Sequence, residues 1–254
     1  MTWALITGAT GGLGKEFAAQ LAGRGHSLVL VARSTEVLEA MANAFAEGGT
    51  QVVVKTTDLS QAGAREELAS ELGREGIVVD VLVNNAGFAT VGDFVDTDAQ
   101  RLTDEVEVNV AAVAHLCRLF APAMVEAGTG TIINVASTAS FQPMPGMALY
   151  AATKAFVLSF TQGLWSELRP HGVKVTALCP GPTDTGFFAA ADAEHVLTRR
   201  RTPQQAVNSA FRALDRGAPH VVDGRFNGLQ AGVAKVAPAR VAMPVVGLIL
   251  RSGH

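Results

Sequence analysis

Apolar residues along this chain come in short, dense runs, separated by longer stretches in which they recur at every third or fourth position. The runs at 3–7, 28–32, 52–56, 81–83, 131–135, 173–178 and 221–222 are rich in Val, Ile and Leu. Most of them lack the in–out alternation of a half-exposed strand. That is the pattern of strands whose two faces are both covered. The stretches at 13–23, 35–47 and 62–72 read as helices, the first closed by Gly25. Ser34 and Thr35, followed by Glu36, form a start signal for the second. Strands alternating with helices predict right-handed βαβ units. The expected fold class is therefore α/β, a doubly wound parallel sheet of about seven strands with helices on both faces, in a single domain.

Two stretches break the rhythm. Residues 181–202 are irregular, with Pro182, Gly186 and basic residues at 199–201. A long loop at the C-terminal end of a strand is a common place for a substrate loop, expected here at about 183–202. The second is the tail. We expect a cofactor-binding catalytic domain over 1–224 and a helical tail over 225–254, packed on or beside it.

Composition removes several function classes. The 254 residues carry a net charge of −3 and no block of Lys or Arg, so no nucleic acid partner is expected. Cys117 and Cys179 are the two cysteines; they read as core residues in a reducing compartment, and a cytoplasmic location is expected. The apolar stretch at 240–250 is too short for a transmembrane segment. No His, Cys or Asp spacing suggests a metal.

Chemistry enters at the end of the first run. Gly8, Gly12 and Gly14, with Thr10 and Leu13 between them, join a strand to a helix. Glycines there allow a pyrophosphate to approach backbone amides at a helix N-terminus, as in Rossmann-type folds. About 20 residues further on, an acid commonly binds the ribose of NAD. Here Ala32 holds that place, followed by Arg33 and Ser34. A guanidinium beside a hydroxyl suits the additional phosphate of NADP(H). We therefore expect NADP(H) over NAD(H).

Further along stand Asn85, Ala86 and Gly87, then Asn109, Ser137, Tyr150 and Lys154, then Pro180, Gly181 and Thr183. Tyr150 and Lys154 lie four apart in a helical pattern and share one face. With the Gly-x-x-x-Gly-x-Gly spacing, these residues in this order resemble the short-chain dehydrogenase/reductase family over about residues 5–185. The resemblance implies an NADP(H)-dependent oxidoreductase acting on a small-molecule carbonyl or alcohol. Tyr150 would exchange the proton and Ser137 would bind the substrate oxygen. Lys154 would hold the nicotinamide ribose, and Asn109 would hold a relay water. Asp58 and Leu59 would contact adenine. Pro180, Gly181 and Thr183 would grip the carboxamide.

A free tyrosine titrates near 10, too high for ready proton exchange at neutrality. Lys154 and an oxidised nicotinamide are expected to lower it. Phe141, Met144, Met147 and residues 187–188 are expected to wall an apolar pocket, for a ketone, a steroid-like molecule or a 3-ketoacyl group. The tail resembles that of a branch related to hydroxysteroid and long-chain 3-ketoacyl reductases. A homodimer or homotetramer is expected by the same resemblance. The alternative is an NADP(H)-binding sensor without turnover.

Overall fold

The computed structural model of this chain describes residues 2–185 and 200–236. The dense apolar runs become strands β1 (Trp3–Thr7), β2 (Ser27–Ala32), β3 (Val52–Thr56), β4 (Val79–Asn84), β5 (Gly130–Val135), β6 (Val173–Cys179) and β7 (His220–Val222). They form one seven-stranded sheet in the order β3-β2-β1-β4-β5-β6-β7, and every pairing is parallel. β1 pairs with both β2 and β4, Leu5 lying opposite Val29 on one side and Leu82 on the other. The strand order reverses there, and ligands of open α/β sheets bind outside the strand C-termini at such a switch.

Helices cover both faces, which is why most strand positions are apolar. On one face α1 (Gly12–Ala22), α2 (Thr35–Glu47) and α7 (Pro203–Asp215) bury Phe17, Leu21, Leu38, Phe211 and Leu214 against β1 and its neighbours. On the other, α3 (Ala62–Arg74) and α5 (Ala112–Ala127) bury Leu68, Leu72, Leu116 and Phe120, with Trp165 of α6 (Ala148–Leu168) packed alongside. The helix α8 (Arg225–Val236) packs through Ala231 with Phe141 and Val157.

The stretch Ala99–Ala127 is long and apolar enough to cross a membrane by length and composition. Here it is a core layer, with α5 lying against β4, β5 and α3. It is not one regular helix: α4 (Ala99–Val106) passes into a π-helical turn, Glu107–Ala111, before α5 begins. Such a turn inserts an extra residue and marks functional positions with some regularity.

The second helix starts at Thr35, as the sequence predicts. Ser34 occupies the N-cap of α2, but its side chain makes no capping bond. Gln61 occupies the N-cap of α3, and the Asp58 carboxylate accepts from the amide and hydroxyl of Ser60 in a local turn. The helix α7 follows a reciprocal cap, Thr202 with Gln205 and Pro203 in the first turn, a signature readable in the sequence.

Candidate active site

The glycine loop comes off β1 at the switch point. Gly8 is left-handed, with φ +62°, and a Cβ there would lie 2.8 Å from the Ala86 Cα. Asn85 fastens the loop from β4: its side-chain amide donates to the carbonyls of Thr7 and Gly8, both at 3.0 Å. The Thr7 hydroxyl accepts from the amides of Asn85 and Ala86, again at 3.0 Å each. Gly11 caps α1 with no side-chain bond, so the first-turn amides around Gly12, Leu13 and Gly14 are available to an anion. Thr10 stands half-buried beside them. A Cβ on Gly12 would come within 2.8 Å of Thr185, so the chain after β6 lies close over this loop. The cradle fits a dinucleotide pyrophosphate.

At the end of β2, Arg33 and Ser34 are exposed, and Arg33 has no hydrogen bond or ion pair among the described residues. Both can turn to a ligand phosphate. Asp58 is exposed at the end of β3, whereas the Leu59 side chain is buried in the core, leaving only its backbone for an adenine.

Past β4, Gly87 lies against Asn109 and Lys154: a Cβ there would be 2.8 Å from Asn109 Oδ1 and 3.3 Å from Lys154 Nζ. Asn109 sits in the π turn, fully buried. Its amide donates to the Phe88 carbonyl at 2.8 Å and the Thr153 hydroxyl at 3.1 Å, and its oxygen accepts from the Phe88 amide at 3.1 Å. Both ends of this side chain are thus engaged with protein groups. It ties the loop after β4 to α6.

Ser137 begins the 3-10 turn Thr138–Phe141 after β5; its hydroxyl accepts from the Ala139 amide at 3.1 Å and is hydrogen-bonded to Tyr150. Tyr150 stands in the first turn of α6, and Lys154 one turn later. Lys154 Nζ donates to the Val135 carbonyl at 2.9 Å and lies 5.8 Å from the Tyr150 ring centre. Ser140 steadies the turn by donating to the Lys154 carbonyl at 2.7 Å.

In the absence of cofactor the electrostatics of the phenol are set by burial. Burial pushes the Tyr150 phenol up to about 12; the Ser137 hydrogen bond works against this, and the Glu105 charge adds to it. Burial also brings Lys154 down to about 8, with Glu105 and Cys179 opposing. The ammonium is present below that pH and lost above it. The positive charge of an oxidised cofactor, with the Lys154 ammonium, would act on the phenol in the opposite direction to burial. The chain has one tyrosine, so near-ultraviolet phenolate absorbance reports Tyr150 alone. Without cofactor the signal is expected to stay flat through about 10, where a free tyrosine titrates, and to move to lower pH on adding NADP+. A phenolate forming near the ordinary value without cofactor contradicts this account.

Sequence reasoning passed over Glu105. It lies one turn before Asn109 with 0% exposure, its carboxyl raised by burial. Thr90 lies beside it, but neither side chain makes a hydrogen bond of standard geometry. It also missed Asn134 on β5, which accepts from Asn84 at 2.8 Å and donates to Thr161 at 3.0 Å behind the site. A polar residue inside an otherwise apolar run was the available signal. Cys117 joins that network as a buried thiol, raised to about 12 by burial.

The pocket wall also differs from expectation. Met147, Ala89 and Ala139 cluster with Tyr150, and Met144 packs against them. Phe141 turns the other way, into the core with Val157 and Ala231. Residues 187–188 lie outside the described residues. Pro180 accepts from the Thr138 amide at 2.9 Å, which joins the end of β6 to the Ser137 turn. Thr183 is buried and donates to the Gly181 carbonyl at 2.9 Å. Among the described residues no group of three or more His, Cys, Asp or Glu converges as a metal site would require.

A family model described as short chain dehydrogenase matches residues 2–195. A very-long-chain 3-oxoacyl-CoA reductase of Pyrenophora tritici-repentis is 37% identical over 179 residues, 68% of this chain and 52% of that protein. The chain thus spans about half the length of that curated relative. Among solved structures, a short-chain dehydrogenase from Sphingobium yanoikuyae in complex with NADPH is 34% identical, with a TM-score of 0.83 and coverage of 94% and 97% of the two chains. A bulky-bulky ketone specific alcohol dehydrogenase from Comamonas testosteroni is 32% identical, with a TM-score of 0.79 and coverage of 94% and 95%.

Proposed function

Because the chain belongs to the short-chain dehydrogenase family, we propose that it moves hydride between NADP(H) and the carbonyl or secondary alcohol of an apolar substrate, with Tyr150 exchanging the proton. The observation that carries this reading is the contact of the Ser137 and Tyr150 hydroxyls at the mouth of the sheet, with the Lys154 ammonium beside the same ring. When bound, the nicotinamide supplies or accepts the hydride. In reduction Tyr150 gives its phenolic proton to the substrate oxygen; in oxidation it takes the hydroxyl proton back. Ser137 donates a hydrogen bond to that oxygen as negative charge develops on it. Lys154 would hold a ribose hydroxyl and, together with an oxidised nicotinamide, would favour the phenolate. Asn109 fixes the loop after β4, which would line the cofactor site, and would hold the relay water.

The substrate side is argued from the wall. Met144, Met147, Ala89 and Ala139 offer methyl and thioether surface, with the two hydroxyls as the polar anchor. The two relatives, a very-long-chain 3-oxoacyl-CoA reductase and a bulky-bulky ketone specific alcohol dehydrogenase, agree with an apolar carbonyl. A non-catalytic sensor would have no need of Ser137, Tyr150 and Lys154 in register, and that reading is not favoured.

The cofactor is tested by titrating the protein with NADPH and NADH, followed by tryptophan fluorescence. NADPH is expected to bind about tenfold tighter or better. Arg33→Ala should bring NADPH down towards NADH, since the phosphate loses its cation. Tighter binding of NADH by the unaltered protein would overturn the role of Arg33 and leave the Tyr150 chemistry standing.

A further inference from the structure

Asp223 follows β7 with 0% exposure, and its amide extends the pairing by donating to the Cys179 carbonyl at 3.1 Å. Its carboxylate accepts from Arg201 Nε at 2.5 Å and from the Ser209 hydroxyl at 2.8 Å. Its main-chain carbonyl accepts from the Asn227 side chain at 2.7 Å. A buried carboxylate needs such partners, and the arrangement satisfies it.

What matters is where Arg201 sits. Its amide donates to the Pro182 carbonyl and its carbonyl accepts from the Asp184 amide, both at 2.9 Å, so it is laced to the strap 181–185 by a short parallel bridge at Thr183. The strap has two further supports. A Cβ on Gly181 would come within 2.3 Å of the Asn227 side chain, and Thr185 packs on Gly12 of the glycine loop. The strap therefore runs from the end of β6 to the phosphate cradle, held from outside by Arg201 and Asn227. Both of those rest on Asp223.

We propose that Asp223, acting through Arg201 and Asn227, is a positioning residue for the cofactor: it fixes the strap 181–185 against the nicotinamide half of the nucleotide. The proposal rests on the nicotinamide nucleotide reading given above. Arg33 follows β2, on the far side of β1 from β6, and among the described residues makes no hydrogen bond or ion pair to this strap, so the adenosine end of a bound nucleotide would depend on it less. Loss of the Asp223 charge should therefore weaken one half of the ligand selectively. A residue that only stabilised the fold would weaken both.

The experiment is calorimetric titration with two probes. One is NADPH; the other is its adenosine half alone, phosphorylated on the 2′ and 5′ hydroxyls and lacking nicotinamide. For Asp223→Asn, NADPH affinity is expected to fall about tenfold or more, and the fragment to change by less than about twofold. Arg201→Met should reproduce the loss and Arg201→Lys should recover most of it, because an ammonium still reaches the carboxylate. Asn227→Ala, which leaves the buried ion pair intact, guards against a variant that fails to fold and should show a milder loss of the same selectivity. Equal losses for both probes, or no loss for NADPH, overturn the proposal. Failure of the unaltered protein to bind either probe overturns the nucleotide reading itself, and the positioning role with it.

Discussion

Tyr150→Phe is expected to reduce turnover by roughly 10²- to 10⁴-fold, the span usual for a positioned general acid–base group, while NADPH affinity changes little. Phenylalanine keeps the ring that packs with Ala89, Ala139, Met147 and Ala151, so the pocket wall survives. Only the hydroxyl is lost, and with it the proton that the substrate oxygen must receive. No second phenol can substitute, since the chain has no other tyrosine. Ser137 is a poor replacement: an aliphatic hydroxyl gives up its proton far less readily, and this one already accepts from the Ala139 amide. The measurement is initial rates of NADPH oxidation over a panel of bulky ketones, together with an NADPH titration of the variant. Full turnover by the phenylalanine variant would remove Tyr150 from the mechanism. A panel in which only polyols or short acids react would spare Tyr150 but refute the apolar pocket.

Gly14→Ala is expected to abolish NADPH binding and to lower stability. A Cβ at this buried position would lie 2.2 Å from the Gly8 carbonyl oxygen and 2.8 Å from the Ala9 Cα. Both are backbone atoms and cannot rotate away. Relief requires α1 to move off the loop, which carries the first-turn amides out of line with the pyrophosphate. Overpacking of this kind costs about 1–3 kcal/mol. In a chain of this size that corresponds to a melting temperature lower by roughly 2–12 °C. Gly11→Ala is the control. Its φ is −78°, within the ordinary range, and its Cβ would meet only the Gly8 carbonyl oxygen, at 3.5 Å. Thermal melts and NADPH titrations on the two variants should therefore diverge. Equal behaviour would mean that Gly14 does not set the distance between α1 and the loop.

The two predictions differ in how far they could be read without coordinates. The pairing of Tyr150 with Lys154 is a matter of helical spacing, visible as four positions in the sequence. The role of Gly14 was legible as a glycine in a phosphate loop. The 2.2 Å approach behind it is a property of how α1 meets β1. Phe141 shows where reading along the chain misled. It lies between Ser137 and Tyr150, so proximity in sequence placed it in the pocket. The 3-10 turn rotates it into the core beneath α8. Asn109 was found by its position; that the π turn aims its side chain at Phe88 and Thr153 is decided by the fold.

By itself the sequence determined the alternation of strands and helices, the parallel sheet, the phosphate cradle and the helix bearing Tyr150 and Lys154. These follow from local periodicity, and from glycines whose missing Cβ has a meaning within a few residues. The tertiary structure alone decided the charge environment of the Tyr150 phenol, which depends on burial and on Glu105 from another helix. It alone brought Asp223 to Arg201, 22 positions apart, and Asn85 to the carbonyls of Thr7 and Gly8, 78 and 77 positions apart. Contacts of that kind are made when the sheet closes and its helices dock. A single chain carries no periodic trace of them, because the free energy that selects them belongs to the packed whole.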